Sequence, residues 1–306
     1  MKGQYLFTPK ILFFLAVVVI QWPQSALGAK TSKSTELKQP RISSQSAIVI
    51  SVPVGQVLYE KGADEVRPIA SLSKLMSAIV FMEQCSHLDL SSLHEMSVEN
   101  RLLAKGGDKS HLTTGWSYSL RDLLKAALMK SDNRALPALM ESCGMILQEF
   151  VLHMNLRARG MGLSHTSFSE PTGLSPYNVS TAREFSRVMI EATKFPALVD
   201  IMQTKQDVLI GYKNGKARKI SARSTNYLLG RKNVQVVGGK TGYTDIARYC
   251  FAVLNRLVNN SAVTIVLLGA EGKHTRFGDF SRISQWLNSQ ISKYVAAEHE
   301  GRTDGS

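Results

Sequence analysis

The feature that most constrains this chain is where its apolar strand-like runs fall. Ser46-Ala47-Ile48-Val49-Ile50-Ser51-Val52 stands near the beginning, while Tyr249-Cys250-Phe251-Ala252-Val253-Leu254 and Ala262-Val263-Thr264-Ile265-Val266-Leu267-Leu268 stand near the end. Between them the apolar residues recur at helical spacing. Strands at both ends with helices between predict an α+β fold: one antiparallel sheet built from both chain ends, flanked by helices, with a helical lobe inserted. A chain of 306 residues with 44% hydrophobic content can bury such a core.

The local signals fill in the order. Pro53-Val54-Gly55 turns the first strand back into Gln56-Val57-Leu58-Tyr59-Glu60, a hairpin. A helix is expected from Ser71, a loop at Gly106-Gly107-Asp108, and helices over 120–129, 134–145 and 148–160. Thr181 with Glu184 three residues later reads as a capping box opening another helix. Residues 233–237 lead as a strand into Gly238-Gly239-Lys240-Thr241-Gly242. A closing helix over 280–294 carries Ile283, Trp286, Leu287 and Ile291 on one face.

The termini read differently. Lys2 and Lys10 precede a ten-residue apolar core (residues 11–20), then Pro23 and Ala26-Leu27-Gly28. That core is short for a membrane span, and the small residues fit a cleavage site. Residues 1–29 are expected to be a signal peptide, 30–45 a flexible lead, 46–294 the folded domain and 295–306 a polar tail. The mature protein is then exported, with no stable membrane anchor. Removing Lys2 and Lys10 takes the formal charge from +13 to +11, which suits an acidic polymer or membrane surface as well as plain solubility. No aromatic-basic pattern points to nucleic acid. Cys85, Cys143 and Cys250 are too few and too dispersed for a disulfide framework or a zinc site; buried free thiols, or one pair plus a spare, both remain open.

The chemistry lies in three short motifs. In Ser71-Leu72-Ser73-Lys74, helical spacing brings Lys74 to the Ser71 hydroxyl. A lysine drawn into an apolar pocket loses basicity and can act as a base. The same residues could instead be a helix-capping serine and a lysine whose stem packs while its head reaches water. Ser131-Asp132-Asn133 follows 60 residues after Ser71, and Lys240-Thr241-Gly242 begins 109 residues after Ser131. Taken alone, Asn133 could cap the next helix and Thr241 could be an ordinary strand residue. A phosphate-binding loop ending at Gly239-Lys240-Thr241 would need glycine where Val234 stands.

In this order the three motifs resemble the set shared by serine β-lactamases and penicillin-binding proteins. The chain resembles the low-molecular-weight D-alanyl-D-alanine carboxypeptidases and endopeptidases, serine peptidase family S11, from about Ser46 to Leu287. Arg67-Pro68-Ile69-Ala70-Ser71-Leu72-Ser73-Lys74-Leu75-Met76, Glu170-Pro171-Thr172-Gly173-Leu174-Ser175, Asn178-Val179-Ser180-Thr181-Ala182-Arg183, Gly239-Lys240-Thr241-Gly242-Tyr243-Thr244 and Thr275-Arg276-Phe277-Gly278-Asp279 carry the likeness. These blocks are most similar to the endopeptidase branch. The resemblance implies a β-lactamase/transpeptidase-like fold, Ser71 as nucleophile, Lys74 as base tuned chiefly by Lys240, and Ser131 as proton relay. It implies Asn133, Lys240, Thr241, Gly242 and Tyr243 as substrate-binding residues, with an oxyanion hole from the N–H groups of Ser71 and Tyr243. No metal or cofactor is implied. The expected partners are peptidoglycan stem peptides and cross-links, with β-lactams as covalent inhibitors, and the expected location is the periplasm.

Some members carry an extra C-terminal β domain and an amphipathic anchor; with twenty residues after Trp286, neither is expected here. Ala247-Arg248 stands where members usually have Ala-Gly, so Arg248 either lines the groove, where it could meet a carboxylate beside a cross-link, or disturbs the strand. Glu170 is read as structural; in a β-lactamase, a glutamate in this region would activate water. A silent penicillin-binding module is the remaining alternative.

Overall fold

The computed structural model describes residues 38–104, 110–232 and 234–303, with side chains to residue 292. The segment expected to be a signal peptide, the start of the expected lead, the loop expected at 106–108 and Asn233 lie outside the described residues.

The first part of the chain holds β1 (Ser46–Val52), β2 (Val57–Lys61), β3 (Arg67–Pro68), a 3-10 turn (Ala70–Leu72), α1 (Ser73–Gln84), β4 (Leu93–Glu95), α2 (Val98–Leu103) and β5 (Ser117–Ser119). The helical middle follows: α3 (Leu120–Leu128), α4 (Ala135–Ser142), α5 (Leu147–Gly160), β6 (Val179–Ser180), α6 (Ala182–Ala192) and α7 (Pro196–Gln203). The chain ends with β7 (Gln206–Lys213), β8 (Lys216–Arg223), β9 (Gln235–Thr244), β10 (Arg248–Arg256), β11 (Ala262–Ala270) and α8 (Thr275–Thr303).

The expected sheet forms, in the order β2-β1-β11-β10-β9. β1 pairs antiparallel with β11 from Ser46 opposite Leu268 to Val52 opposite Ala262. Side chains alternate across a strand, so each central strand feeds two cores. Ile48, Ala252, Val266 and Leu268 join the core packed with α1, α3, α4 and α6. Ala47, Val49, Phe251, Val253, Ile265 and Leu267 face Phe280, Ile283 and Leu287 of α8. Burial on both faces explains why these strands read as unbroken apolar runs.

Several local expectations change. Ser71 lies in the 3-10 turn, one element before α1. Thr181 caps α6 by accepting from the Glu184 N–H, but the Glu184 carboxylate does not return to complete a box. It accepts instead from Thr166 and His165, whose donors fix it below the usual range against the opposing effect of burial. α8 runs beyond residue 294 to Thr303, through the good helix formers Ala296, Ala297 and Glu298. The later part of the expected lead is tied down: Ser43 and Ser44 donate to the buried Asp279 carboxylate, and Lys61 donates to the Ile42 and Ser44 carbonyls.

A second sheet, β4-β5-β7-β8, has no counterpart in the sequence reading. Its main unit is the β7–β8 hairpin, turned by Asn214-Gly215 with both residues at positive φ. An Asn-Gly turn is a strong hairpin signal. Among the cysteines, Cys85 and Cys143 form a disulfide with Cα atoms 5.8 Å apart, joining the C-terminal ends of α1 and α4. Cys250 is the spare, and burial pushes its thiol up to about 11.

Candidate active site

The three motifs converge where the helical lobe meets the edge strand β9. Ala70 sits at φ 49°, a left-handed backbone that costs a non-glycine residue strain. That bend turns the chain from β3 into the 3-10 turn carrying Ser71. Lys74, one residue into α1, is fully buried. Its Nζ lies 3.0 Å from Ser71 Oγ, 2.6 Å from Asn133 Oδ1 and 2.6 Å from the Thr172 carbonyl oxygen. The amide and carbonyl oxygens can only accept, so each takes an N–H from the amine. The hydroxyl can accept or donate. A neutral Lys74 can therefore keep both N–H bonds while its lone pair faces the Ser71 proton.

Ser131-Asp132-Asn133 bridges the two lysines. Asn133 engages Lys74, so it does not cap α4, whose N-cap is Arg134 without a side-chain bond. Ser131, at φ 61°, accepts from Lys240 Nζ at 3.0 Å. Asp132 holds the loop by accepting from the Arg134 N–H and from Ser110.

Lys240 is buried in β9 and also donates to the Thr241 carbonyl at 2.8 Å. Burial pushes its pKa well below the lysine value of 10.5, and the charges of Lys74 and Arg276 push it the same way. The Thr241 hydroxyl pairs with Thr225 at 2.6 Å. Gly242 lies against Ser71: a Cβ there would stand 3.0 Å from the Ile69 oxygen and 3.1 Å from Ser71 N. This sets the backbones of Ser71 and residues 242–243 side by side. Tyr243 is half-exposed, donates to Asp245 and stacks on Tyr249.

Four residues the motifs did not reveal also shape the site. Gly173 adopts φ 84°, and a Cβ there would fall 1.9 Å from the Ala70 oxygen. Asn178 is buried: its Oδ1 accepts from the Ser169 and Glu170 N–H groups, and its Nδ2 donates to Ser73 Oγ. Arg276 is buried behind the sheet, donates to the carbonyls of Gly242 and Cys250, and is lowered to about 10 by burial. Thr225 is the fourth. Gly173 lies in a block that carries the family likeness, but its contact with Ala70 is not legible there, because the two are about a hundred residues apart in sequence.

Glu170 accepts from Thr172 N, Thr172 Oγ1, Gly173 N, Ser175 N and Asn178 Nδ2. Its oxygens organise the 170–175 loop. Arg248 is exposed and closes the β9–β10 turn opposite Thr244 at φ 57°. β10 forms regardless, so Arg248 strains the turn without breaking the strand.

Comparison with known proteins gives the chain's family. Residues 33–272 match the family model Peptidase S11, described as D-alanyl-D-alanine carboxypeptidase. The chain is 34% identical over 279 residues to the D-alanyl-D-alanine endopeptidase of Escherichia coli, covering 91% of this chain and 88% of that protein. It is 35% identical to the one from Pseudomonas aeruginosa, covering 85% and 82%. A D-alanyl-D-alanine carboxypeptidase of Bacillus subtilis is 27% identical, covering 92% and 70%. In structure, the chain is similar to the Streptomyces K15 DD-transpeptidase, with TM-score 0.77 and 25% identity, over 82% of this chain and 98% of that one. The chain belongs to the S11 family of serine peptidases.

Proposed function

We propose that this protein is a serine D,D-peptidase of bacterial peptidoglycan that opens cross-links as an endopeptidase. The observation that carries the reading is Lys74, buried beside Ser71 with two acceptor-only partners. Lys74 takes the Ser71 proton as Ser71 Oγ attacks the D-alanyl carbonyl. The N–H groups of Ser71 and Tyr243 hold the developing oxyanion. The C–N bond breaks as Ser131 passes its proton to the leaving amine and takes one from Lys240. Water then attacks the ester, its proton returns through Ser131 to Lys240, and Lys74 gives back to Ser71 Oγ the proton it took, which frees the acid and restores the site. Asn133, Thr241 and Gly242 hold the substrate backbone, which lies as an added strand along β9, the edge of its sheet. Lys240 and Thr241 attract the carboxylate on the leaving side. β-Lactams acylate Ser71 by the same steps.

Endopeptidase is favoured over carboxypeptidase because the relatives at 34% and 35% identity carry that name, while the carboxypeptidase relative stands at 27%. A β-lactamase role for Glu170 is disfavoured because its carboxylate is already occupied by loop donors. Export to the periplasm fits the Cys85–Cys143 disulfide, since such bonds persist in oxidising compartments. Digestion of purified muropeptides tests the reading. Cross-linked dimers should fall to monomers faster than monomeric pentapeptide loses D-alanine. Trimmed pentapeptide beside intact dimers would move the protein to the carboxypeptidase branch.

A further inference from the structure

The sheet that the sequence reading missed carries an unusual charge distribution. No Asp or Glu occurs between Asp207 and Asp245. Within that span Lys213, Lys216, Arg218, Lys219 and Arg223 are all exposed on the β7–β8 hairpin. Among the described residues none of the five pairs with a carboxylate; Arg218 donates only to the Thr113 hydroxyl. Lys213 stands directly opposite Lys216, an arrangement that costs stability. One face of the hairpin also presents Tyr212 and Val208, each 43% exposed, in register with Ala217 and Ser221 and alternating with Lys219 and Arg223. A hairpin serving only as structure needs neither the repulsion nor the exposed tyrosine.

The hairpin also leads to the nucleophile. β8 ends at Arg223, and two residues later Thr225 pairs its hydroxyl with Thr241 and donates its N–H to the Met129 carbonyl. Lys130, next to Ser131, donates to the Ser221 carbonyl on β8. Eight residues of strand at about 3.3 Å each make a cationic ridge of roughly 26 Å ending at the rim of the site.

We propose that the β7–β8 hairpin is a docking surface for polymeric peptidoglycan, which it holds beside the Ser71 site. Stem-peptide carboxylates meet Lys219 and Arg223, and the apolar faces of the sugars meet Tyr212 and Val208 on that same face. The attraction is long-range and multivalent, so it acts on the intact wall and hardly on a small soluble fragment. An anionic lipid surface would take up the same cations and the tyrosine, but the ridge runs to the rim of a site that acts on the wall polymer, so the wall polymer is the occupant the face favours. This inference rests on the peptidoglycan reading above.

The test is a double charge reversal, Lys219→Glu and Arg223→Glu. Binding is measured by co-sedimentation with insoluble sacculi in a Ser71→Ala background, and hydrolysis with Ser71 intact. Sacculus binding and solubilisation should fall roughly tenfold or more, and wild-type binding should weaken with salt. Fluorescent-penicillin labelling, cleavage of soluble dimers and melting temperature should hold, and a charge-conserving double variant (Lys219→Arg, Arg223→Lys) should bind as wild type. Unchanged sacculus binding in the reversal variant overturns the proposal. So does wild-type binding to phosphatidylglycerol vesicles but not to sacculi. Absence of soluble-dimer cleavage by the wild type would instead overturn the endopeptidase reading and leave the docking result to stand by itself.

Discussion

The site contains two buried lysines in contrasting surroundings. Lys74 belongs to the helical lobe and is met by three oxygens from three segments: Ser71, Asn133 and the 172 carbonyl. Lys240 belongs to the sheet, has Ser131 and its own neighbour's carbonyl, and faces the charges of Lys74 and Arg276. The first environment orients a nitrogen. The second keeps a cation poorly satisfied, so it gains most when an anion arrives. The sequence reading has Lys240 tuning Lys74; the charge of Lys74 also lowers Lys240.

The largest blow to the Lys74 side should come from Gly173→Ala. Its Cβ would occupy the space of the Ala70 carbonyl, so penicillin labelling should vanish and stability should drop by more than ~3 kcal/mol. Labelling at the native rate would mean that the 170–175 loop is free to move away. Ser71→Ala should abolish the covalent adduct while leaving the fold intact; a surviving adduct would transfer the nucleophile to another residue, with Ser73 the nearest.

Replacing each lysine by methionine separates the two environments. Lys74→Met should slow acylation by about 10²–10⁴-fold, the range for losing a general base, and should destabilise by ~1–3 kcal/mol because Asn133 Oδ1 and the Thr172 carbonyl lose their donor. Lys240→Met should weaken acylation less, by ~1–3 kcal/mol of lost charge-assisted contact, with melting unchanged or raised. The pH dependence has a definite sign. Between the depressed folded pKa of Lys240 and the 10.5 of a free lysine, the unfolded chain binds more protons, so wild-type stability rises with pH across that window and the gain disappears in Lys240→Met. Equal acylation losses in the two variants would erase the distinction.

Smaller effects sharpen it. Cys85→Ser with Cys143→Ser should cost ~2–4 kcal/mol, read by chemical denaturation. It should loosen α1, which carries Lys74, and α4, which follows Asn133, before the sheet around Lys240, so hydrogen exchange should rise first in those helices. Arg248→Gly should add ~1 kcal/mol by relieving the left-handed turn; a loss of stability would show that the guanidinium has a structural partner.

What could be read beforehand followed physical range. β1, β10 and β11 were legible because burial on both faces leaves unbroken apolar runs. The residues of the three motifs were legible because motif order survives folding. The β7–β8 hairpin escaped because exposed strands rich in lysine and arginine lack the alternation that marks a half-buried strand, although Asn214-Gly215 advertised the turn. Gly173, Asn178 and Arg276 stand in blocks that carry the family likeness, but their contacts escaped because each acts on a partner distant in sequence. The disulfide was open for the same reason: 58 residues separate Cys85 from Cys143.

The pairing of Ser46 with Leu268 also sets a timetable. A polypeptide delivered N-terminus first presents β1 long before β11 exists to receive it. Until then β1 has only the short β2 hairpin as a partner, and so long-range a closure is intrinsically slow. Lys240, Gly242 and the rest of β9 also arrive late, just ahead of β10 and β11. The helices around Ser71 can assemble early, but the strand that completes the reactive centre cannot be fixed until the last fifth of the chain is available. A nascent molecule of this kind is catalytically mute during its own synthesis, and truncation anywhere before β11 should silence it as thoroughly as loss of the serine.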